Sequence, residues 1–104
     1  MKVGNQLVLG EWEGYLQVVS LGNHLITSTH KFNEGGDIND MIAIDDAHFL
    51  LATAQGLLRA TRDQVVKQYY NGKTARAVCH IADSIYLVGL ENENMIALWN
   101  EQTD

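Results

Sequence analysis

The chain has 104 residues, with 7 Lys plus Arg against 13 Asp plus Glu, a formal net charge of -6 and a hydrophobic share of 46%. That length suits one domain over 1–104 with a core that needs neither metal nor crosslinks, and the single cysteine, Cys79, excludes an internal disulfide framework. No apolar run approaches the roughly 18 residues of a membrane-spanning helix, the opening Met1-Lys2-Val3-Gly4-Asn5 lacks the apolar core of a signal peptide, and the excess of acid opposes binding to a polyanion such as DNA. The expectation is a soluble, intracellular, cytoplasmic protein that uses neither nucleic acid nor a membrane as its partner.

Apolar residues fall in clusters of four to seven, separated by Gly, Asn and Asp, which is a strand rhythm and not a helical one. Ten strands are predicted, over residues 6–11, 15–20, 24–30, 40–44, 48–53, 57–61, 64–70, 76–81, 85–90 and 95–99. Gly22-Asn23 and Asn71-Gly72 can take the positive φ values of tight turns, and Asn71-Gly72 could close a hairpin by itself; Asn33-Glu34-Gly35-Gly36 makes a longer connection.

The chain repeats itself. Met41 to Ala52 lies over Val78 to Gly89 at a shift of 37 without a gap, placing Asp46 on Asp83 and Phe49 on Tyr86. Leu7 to Leu16 matches Phe49 to Leu58 at a shift of 42. Three units result, over approximately 1–37, 38–74 and 75–104, each read as short antiparallel strands joined by turns. A period near 40 residues with four strands per unit is the mark of a β-propeller blade. The fold class expected is all-β, an incomplete propeller of four-stranded antiparallel blades. The first unit has its innermost strand only if residues 1–4 supply it, and the last lacks its fourth.

The segment from Ala77 to Asn100 resembles the first three strands of a WD-repeat blade, with Trp99-Asn100 where the Trp-Asp dipeptide would fall. The resemblance spans about two and a half degenerate blades. WD repeats commonly tie a blade with a hydrogen-bonded His, Ser or Thr, Asp and Trp tetrad; here the Trp position reads Val19, Thr61 and Trp99, and the Asp position reads Glu13, Gln55 and Glu93. Other propeller families with the same blade stay open.

Propellers close with roughly four to eight blades, so ten strands cannot close alone. Either the chain is a segment of a larger propeller, or copies associate and complete one another's open edges. A homo-oligomer, or completion by other blades, is the expectation.

In WD-like propellers the face most often used for partners collects the turns between second and third strands and the connections between blades. Here those loops are 11–14, 32–40, 54–56, 70–74 and 91–94, and they hold Glu11, Glu13, Glu34, Asp37, Asp40, Glu91 and Glu93, seven of the thirteen acids, beside Trp12. Glu11, Trp12, Glu13, Glu34, Asp37, Glu91 and Glu93 are the candidate partner-binding residues. An acidic rim with an aromatic anchor suits a basic peptide or segment of another protein. Solvated loops are also acidic simply because surfaces are charged.

Other chemistry finds no support in the residue spacing. His24, His30, His48 and His80 share no metal-ligand spacing, and Cys79, aligned with Ile42, is expected to fill core. Asp37, Asn39, Asp40, Asp45 and Asp46 fail the calcium-loop formula because Met41 and Ile42 stand where a ligand and glycine are required; Asp46 and Asp83 instead suit Asx-type turns. The basic residues Arg59, Arg62, Lys67, Lys73 and Arg76 are expected on a solvated strand face, and Trp99 in the core. No cofactor or metal is expected, and no catalytic constellation is present. The function expected is a non-catalytic protein-protein interaction or scaffold module; the alternative is a small all-β ligand-binding domain or a hydrolase using loop carboxylates.

Overall fold

The computed structural model describes all residues except 4, 11, 33–35, 46, 62, 63, 92–94 and 102–104. Eleven strands run β1 (Lys2–Val3), β2 (Gln6–Gly10), β3 (Tyr15–Ser20), β4 (Ile26–Lys31), β5 (Ile38–Ala43), β6 (Phe49–Thr53), β7 (Gly56–Ala60), β8 (Val65–Tyr69), β9 (Ala75–Ala82), β10 (Ile85–Leu90) and β11 (Met95–Asn100). A short 3-10 turn, Trp12–Gly14, joins β2 to β3. The ten predicted strands are all present, and Lys2–Val3 adds the abbreviated first one.

Three antiparallel sheets result, ordered β1-β2-β3-β4, β5-β6-β7-β8 and β9-β10-β11. The propeller-like blades expected from the repeat are therefore present, and among the described residues the third sheet ends at β11 without a fourth strand. They lie face against face within 42 × 29 × 19 Å and do not close.

The core is two layers, one in each gap between sheets. Val8, Leu16, Val18 and Phe32 meet Phe49, Leu51, Leu58 and Ala60 in the first gap. Leu50, Ala52 and Leu57 meet Ala75, Val78, Tyr86, Val88, Leu90 and Trp99 in the second. The central sheet is thus covered on both faces, and Phe49–Thr53 is buried at every position. A strand sandwiched this way reads as a continuous apolar run, whereas β10, covered on one face, alternates half-buried and buried residues.

Near the inner edges the second and third sheets are pinned by side chains of β5. Asp40 accepts from the Met41 N–H at 2.9 Å and from the Val78 N–H at 3.0 Å, and Asn39 Nδ2 donates to the Ala75 carbonyl at 2.8 Å. Both carboxylate oxygens of Asp40 are engaged with backbone amides, which fits the failure of the calcium formula.

Several sequence expectations change in detail. Phe49 pairs with Ala60, as Leu7 pairs with Val19 and Tyr86 with Trp99. The Trp position of the second blade is therefore Ala60 and not Thr61, because the β6–β7 turn is one residue tighter than the alignment assumed. Trp99 is buried as expected, between the rings of Tyr69 and Tyr86 at 5.2 and 5.6 Å, but its indole N–H lacks a hydrogen-bond partner among the described residues. Among the described residues the WD tetrad is not formed there.

Cys79, expected in the core, is exposed. It pairs with Leu87 on the side of the third sheet that no sheet covers, whereas its counterpart Ile42 packs into the second gap. Arg59 does not lie on a solvated face: it is half-buried at the second gap, with Nη2 3.5 Å from Glu101 Oε1. In the β3–β4 turn the positive φ falls on His24 (φ 61) and not on Gly22-Asn23, while Asn23 Oδ1 accepts from the Leu25 N–H at 3.1 Å.

Asp45 makes Asx-type bonds in the turn before β6; Asp46, expected there, lies outside the described residues. Asp45 Oδ1 accepts from the N–H groups of Ala47 and His48, both at 2.8 Å, and faces His48 Nδ1 at 3.0 Å. At the matching turn Asp83 contributes a positive φ of 41, and its carbonyl meets His80 Nε2 at 2.6 Å. The amide of Ala47 first, and the His48 side chain second, hold the Asp45 carboxyl below the ordinary carboxylate value. A depressed folded-state pKa contributes stability that is complete above the unfolded value, about 3.9, and is lost as pH falls through the lower folded value. Asp45→Ala is accordingly expected to cost about 0.5–1 kcal/mol at pH 7, solvent screening keeping the figure small. The difference from wild type should shrink as pH falls below the unfolded value of about 3.9, as read by urea titrations at pH 7 and at successively lower pH.

Candidate functional site

The loops at one rim are knitted together by hydrogen bonds that cross from sheet to sheet. Gly14 sits against the β4–β5 connection, where its carbonyl accepts from the Phe32 N–H at 2.8 Å. A side chain at Gly14 (φ 85) would run into the Phe32 carbonyl, so glycine is what allows this turn to lie so close. Next to it Glu13 (φ 61) donates its backbone N–H to Asp37 Oδ1 at 2.7 Å. The Asp37 carbonyl accepts from Ala54 at 3.0 Å, and the Ala54 carbonyl accepts from Thr74 Oγ1 at 3.0 Å. The Thr74 carbonyl then accepts from the Glu91 N–H at 2.8 Å.

The belt runs from Glu13 through Asp37, Ala54 and Thr74 to Glu91, and so passes through all three sheets. It places three of the sequence-predicted residues, Glu13, Asp37 and Glu91, on one rim, all exposed. Glu11, Glu34 and Glu93 lie outside the described residues, as does the side chain of Trp12, whose backbone opens the 3-10 turn. Sequence reasoning missed Ala54 and Thr74, and no side-chain signal could have found Ala54, which acts through its backbone alone.

The rim is unevenly charged. Glu91 Oε2 lies 3.1 Å from Arg76 Nε, an exposed pair whose net contribution is small. Glu13 and Asp37 have no such cation among the described residues. Tyr70, at φ 53 in the β8–β9 connection, has its phenol pushed up from the usual value by burial, so it remains a neutral donor. Among the described residues no group of three or more His, Cys, Asp or Glu could hold a metal ion, and no helix is long and apolar enough to cross a membrane.

Three stacked antiparallel sheets, each running outward from its first strand, have counterparts among solved structures. The WD40 β-propeller domain of Doa1 superposes with a TM-score of 0.74 at 17% identity, over 96% of this chain and 34% of that one. The fold is a WD-like β-propeller segment. The computationally designed Ika4 protein superposes with a TM-score of 0.71 at 15% identity, over 96% of this chain and 62% of that one. The segment thus spans about a third of the Doa1 domain and less than two thirds of the designed protein. No protein-family model matches the sequence, and neither does any curated protein.

Proposed function

We propose that this propeller segment is a non-catalytic interaction module of the cytoplasm that assembles with other blades or copies and presents its acidic rim to a Lys- or Arg-containing segment of a partner protein. The observation that carries the reading is the belt: Glu13 and Asp37 are held by a 2.7 Å bond on loops tied to all three sheets. The Asp37 carboxylate and the backbone that carries Glu13 are thereby prearranged, which lowers the ordering cost of binding. Acidic groups so fixed steer and orient a basic segment and disfavour nucleic acid. The lone, exposed Cys79 thiol suits a reducing compartment.

Fluorescence anisotropy with a Lys-rich peptide tests this. Binding is expected to weaken as salt shortens the screening length below about 10 Å. The triple substitution Glu13→Gln, Asp37→Asn, Glu91→Gln should weaken it by about tenfold with the fold retained, since Asn can still accept the Glu13 N–H. Unchanged affinity in the triple variant would overturn the reading.

A further inference from the structure

We infer that Asn71 is a latent self-modification site of the acidic rim: hydrolysis of its side-chain amide adds a negative charge there, and the folded turn that carries Asn71 holds the reaction off. The effect on binding rests on the rim reading above, whereas the reaction itself does not.

Of the eight asparagines in the chain, one is followed by glycine, in Asn71-Gly72. In an unstructured chain that pair is reactive, because glycine has no Cβ to shield the attacking nitrogen. The Gly72 nitrogen gives up its proton to solvent and bonds to Asn71 Cγ; the bond from Cγ to the side-chain nitrogen breaks, ammonia leaves and a five-membered succinimide closes. Water then opens the ring at one carbonyl or the other. The product is aspartate, or isoaspartate, whose backbone runs through the former side chain and is one carbon longer. In sum, amide plus water becomes carboxylate plus ammonium, with no oxidant or cofactor.

The folded chain withholds what the first step needs. The Lys73 N–H donates to the Tyr70 carbonyl at 3.0 Å, so Asn71 and Gly72 are the central residues of a β-turn. Gly72 is left-handed at φ 81 and Asn71 is not, the pattern of a type II turn. Such a turn sets ψ of its first central residue at about 120°, and there the following nitrogen points away from Cβ, whereas the five-membered ring needs the two nearly eclipsed. The Gly72 N–H also donates to the Gln55 carbonyl at 2.9 Å. Its proton is retained, and the nitrogen is fixed against the β6–β7 turn.

This latch is local. Asn71 and Gly72 are exposed, and nothing lies within 4 Å of a Cβ built on Gly72, so opening the turn uncovers no core.

The position of the turn gives the reaction a consequence. Thr74, three residues on, belongs to the belt through its 3.0 Å bond to the Ala54 carbonyl. Lys73 is the only charged residue from Tyr70 to Thr74. A carboxylate at position 71 offsets it and leaves the rim more acidic, whichever product forms.

Intact-mass spectrometry with peptide mapping, on the full chain at neutral pH and physiological temperature, tests the site. Asn71 should convert at least about tenfold more slowly in the folded chain than in denaturing urea, since the reaction proceeds only through the opened fraction. Asn71→Gln should remove this conversion, because the larger ring closes far more slowly. Asn71→Asp reproduces the charge of the product and should tighten binding of the Lys-rich peptide about two- to threefold at low salt, the gain fading as salt rises. Equal rates in the folded and unfolded chain would overturn the latch, and no conversion in urea would overturn the site. An unchanged or weakened affinity of Asn71→Asp would overturn its action on the rim. If the wild type binds no Lys-rich peptide, the rim reading falls and the action on the rim with it, while the mass measurements still decide the site.

Discussion

Leu51→Ala is expected to destabilise the chain by about 3–4 kcal/mol, the cost of a large apolar deletion in a site that cannot collapse. Leu51 is fully buried in the first gap, between Met41 and Leu58 of its own sheet and against the core residues of the first. Its surroundings are held on both sides, because the other face of the central sheet is locked under the third. The loss is a large fraction of the roughly 5–15 kcal/mol typical of a domain, and it should lower the thermal midpoint by roughly 15–25 °C. Leu25→Ala provides the contrast: Leu25 is 62% exposed beside the β3–β4 turn, and its removal should change stability by no more than about 0.5 kcal/mol. Thermal melts of both variants at one protein concentration check the pair, and equal midpoints would contradict the two-layer core.

Gly56→Ala is the second large effect, with an expected cost of about 2–3 kcal/mol. Gly56 opens β7 at φ 138, and a Cβ there would lie 2.6 Å from the Tyr69 carbonyl oxygen and 3.0 Å from that of Tyr70. Both obstacles are backbone, so no rotamer change relieves them. The same residue anchors the hairpin, since the fully buried Thr53 donates its hydroxyl to the Gly56 carbonyl at 2.7 Å. Gly72 separates the two components of the penalty. Its φ of 81 is also left-handed, but nothing lies within 4 Å of an added Cβ. Gly72→Ala should therefore cost only the conformational part, about 1–2 kcal/mol. Denaturant unfolding of the two variants should rank them in that order; the reverse ranking would mean that φ alone governs.

Much of the architecture was legible because strand formation and repetition are local properties. Alternation of apolar residues between Gly, Asn and Asp separators marked all ten longer strands, and the correspondence of Phe49 with Tyr86 located equivalent places in two blades. Where the reading slipped, one residue of turn length was the cause. Ala60 took the place assigned to Thr61. That shift is not visible in composition, because adjacent small residues look alike until strand pairing selects one.

The candidate rim was half legible. Acidic loop residues could be grouped from the blade pattern, but the belt also depends on the Ala54 amide and carbonyl and the Thr74 carbonyl, which any residue could supply, and on the Thr74 hydroxyl. Cys79 and Arg59 show the remaining limit. A cysteine aligned with a core isoleucine was expected to be buried, and an arginine to be solvated. Their positions on the uncovered face and at the second gap reversed both.

The amino-acid order by itself determined the all-β class, the three-unit repeat and the acidic balance of -6 that first argued against nucleic acid, since each follows from residue type and spacing along the chain. The tertiary structure alone decided which faces of the blades are covered. Burial is a property of what lies opposite, and the same Gly-and-leucine-like pair is core at Gly10 and Leu16 yet open surface at Gly89 and Ile96.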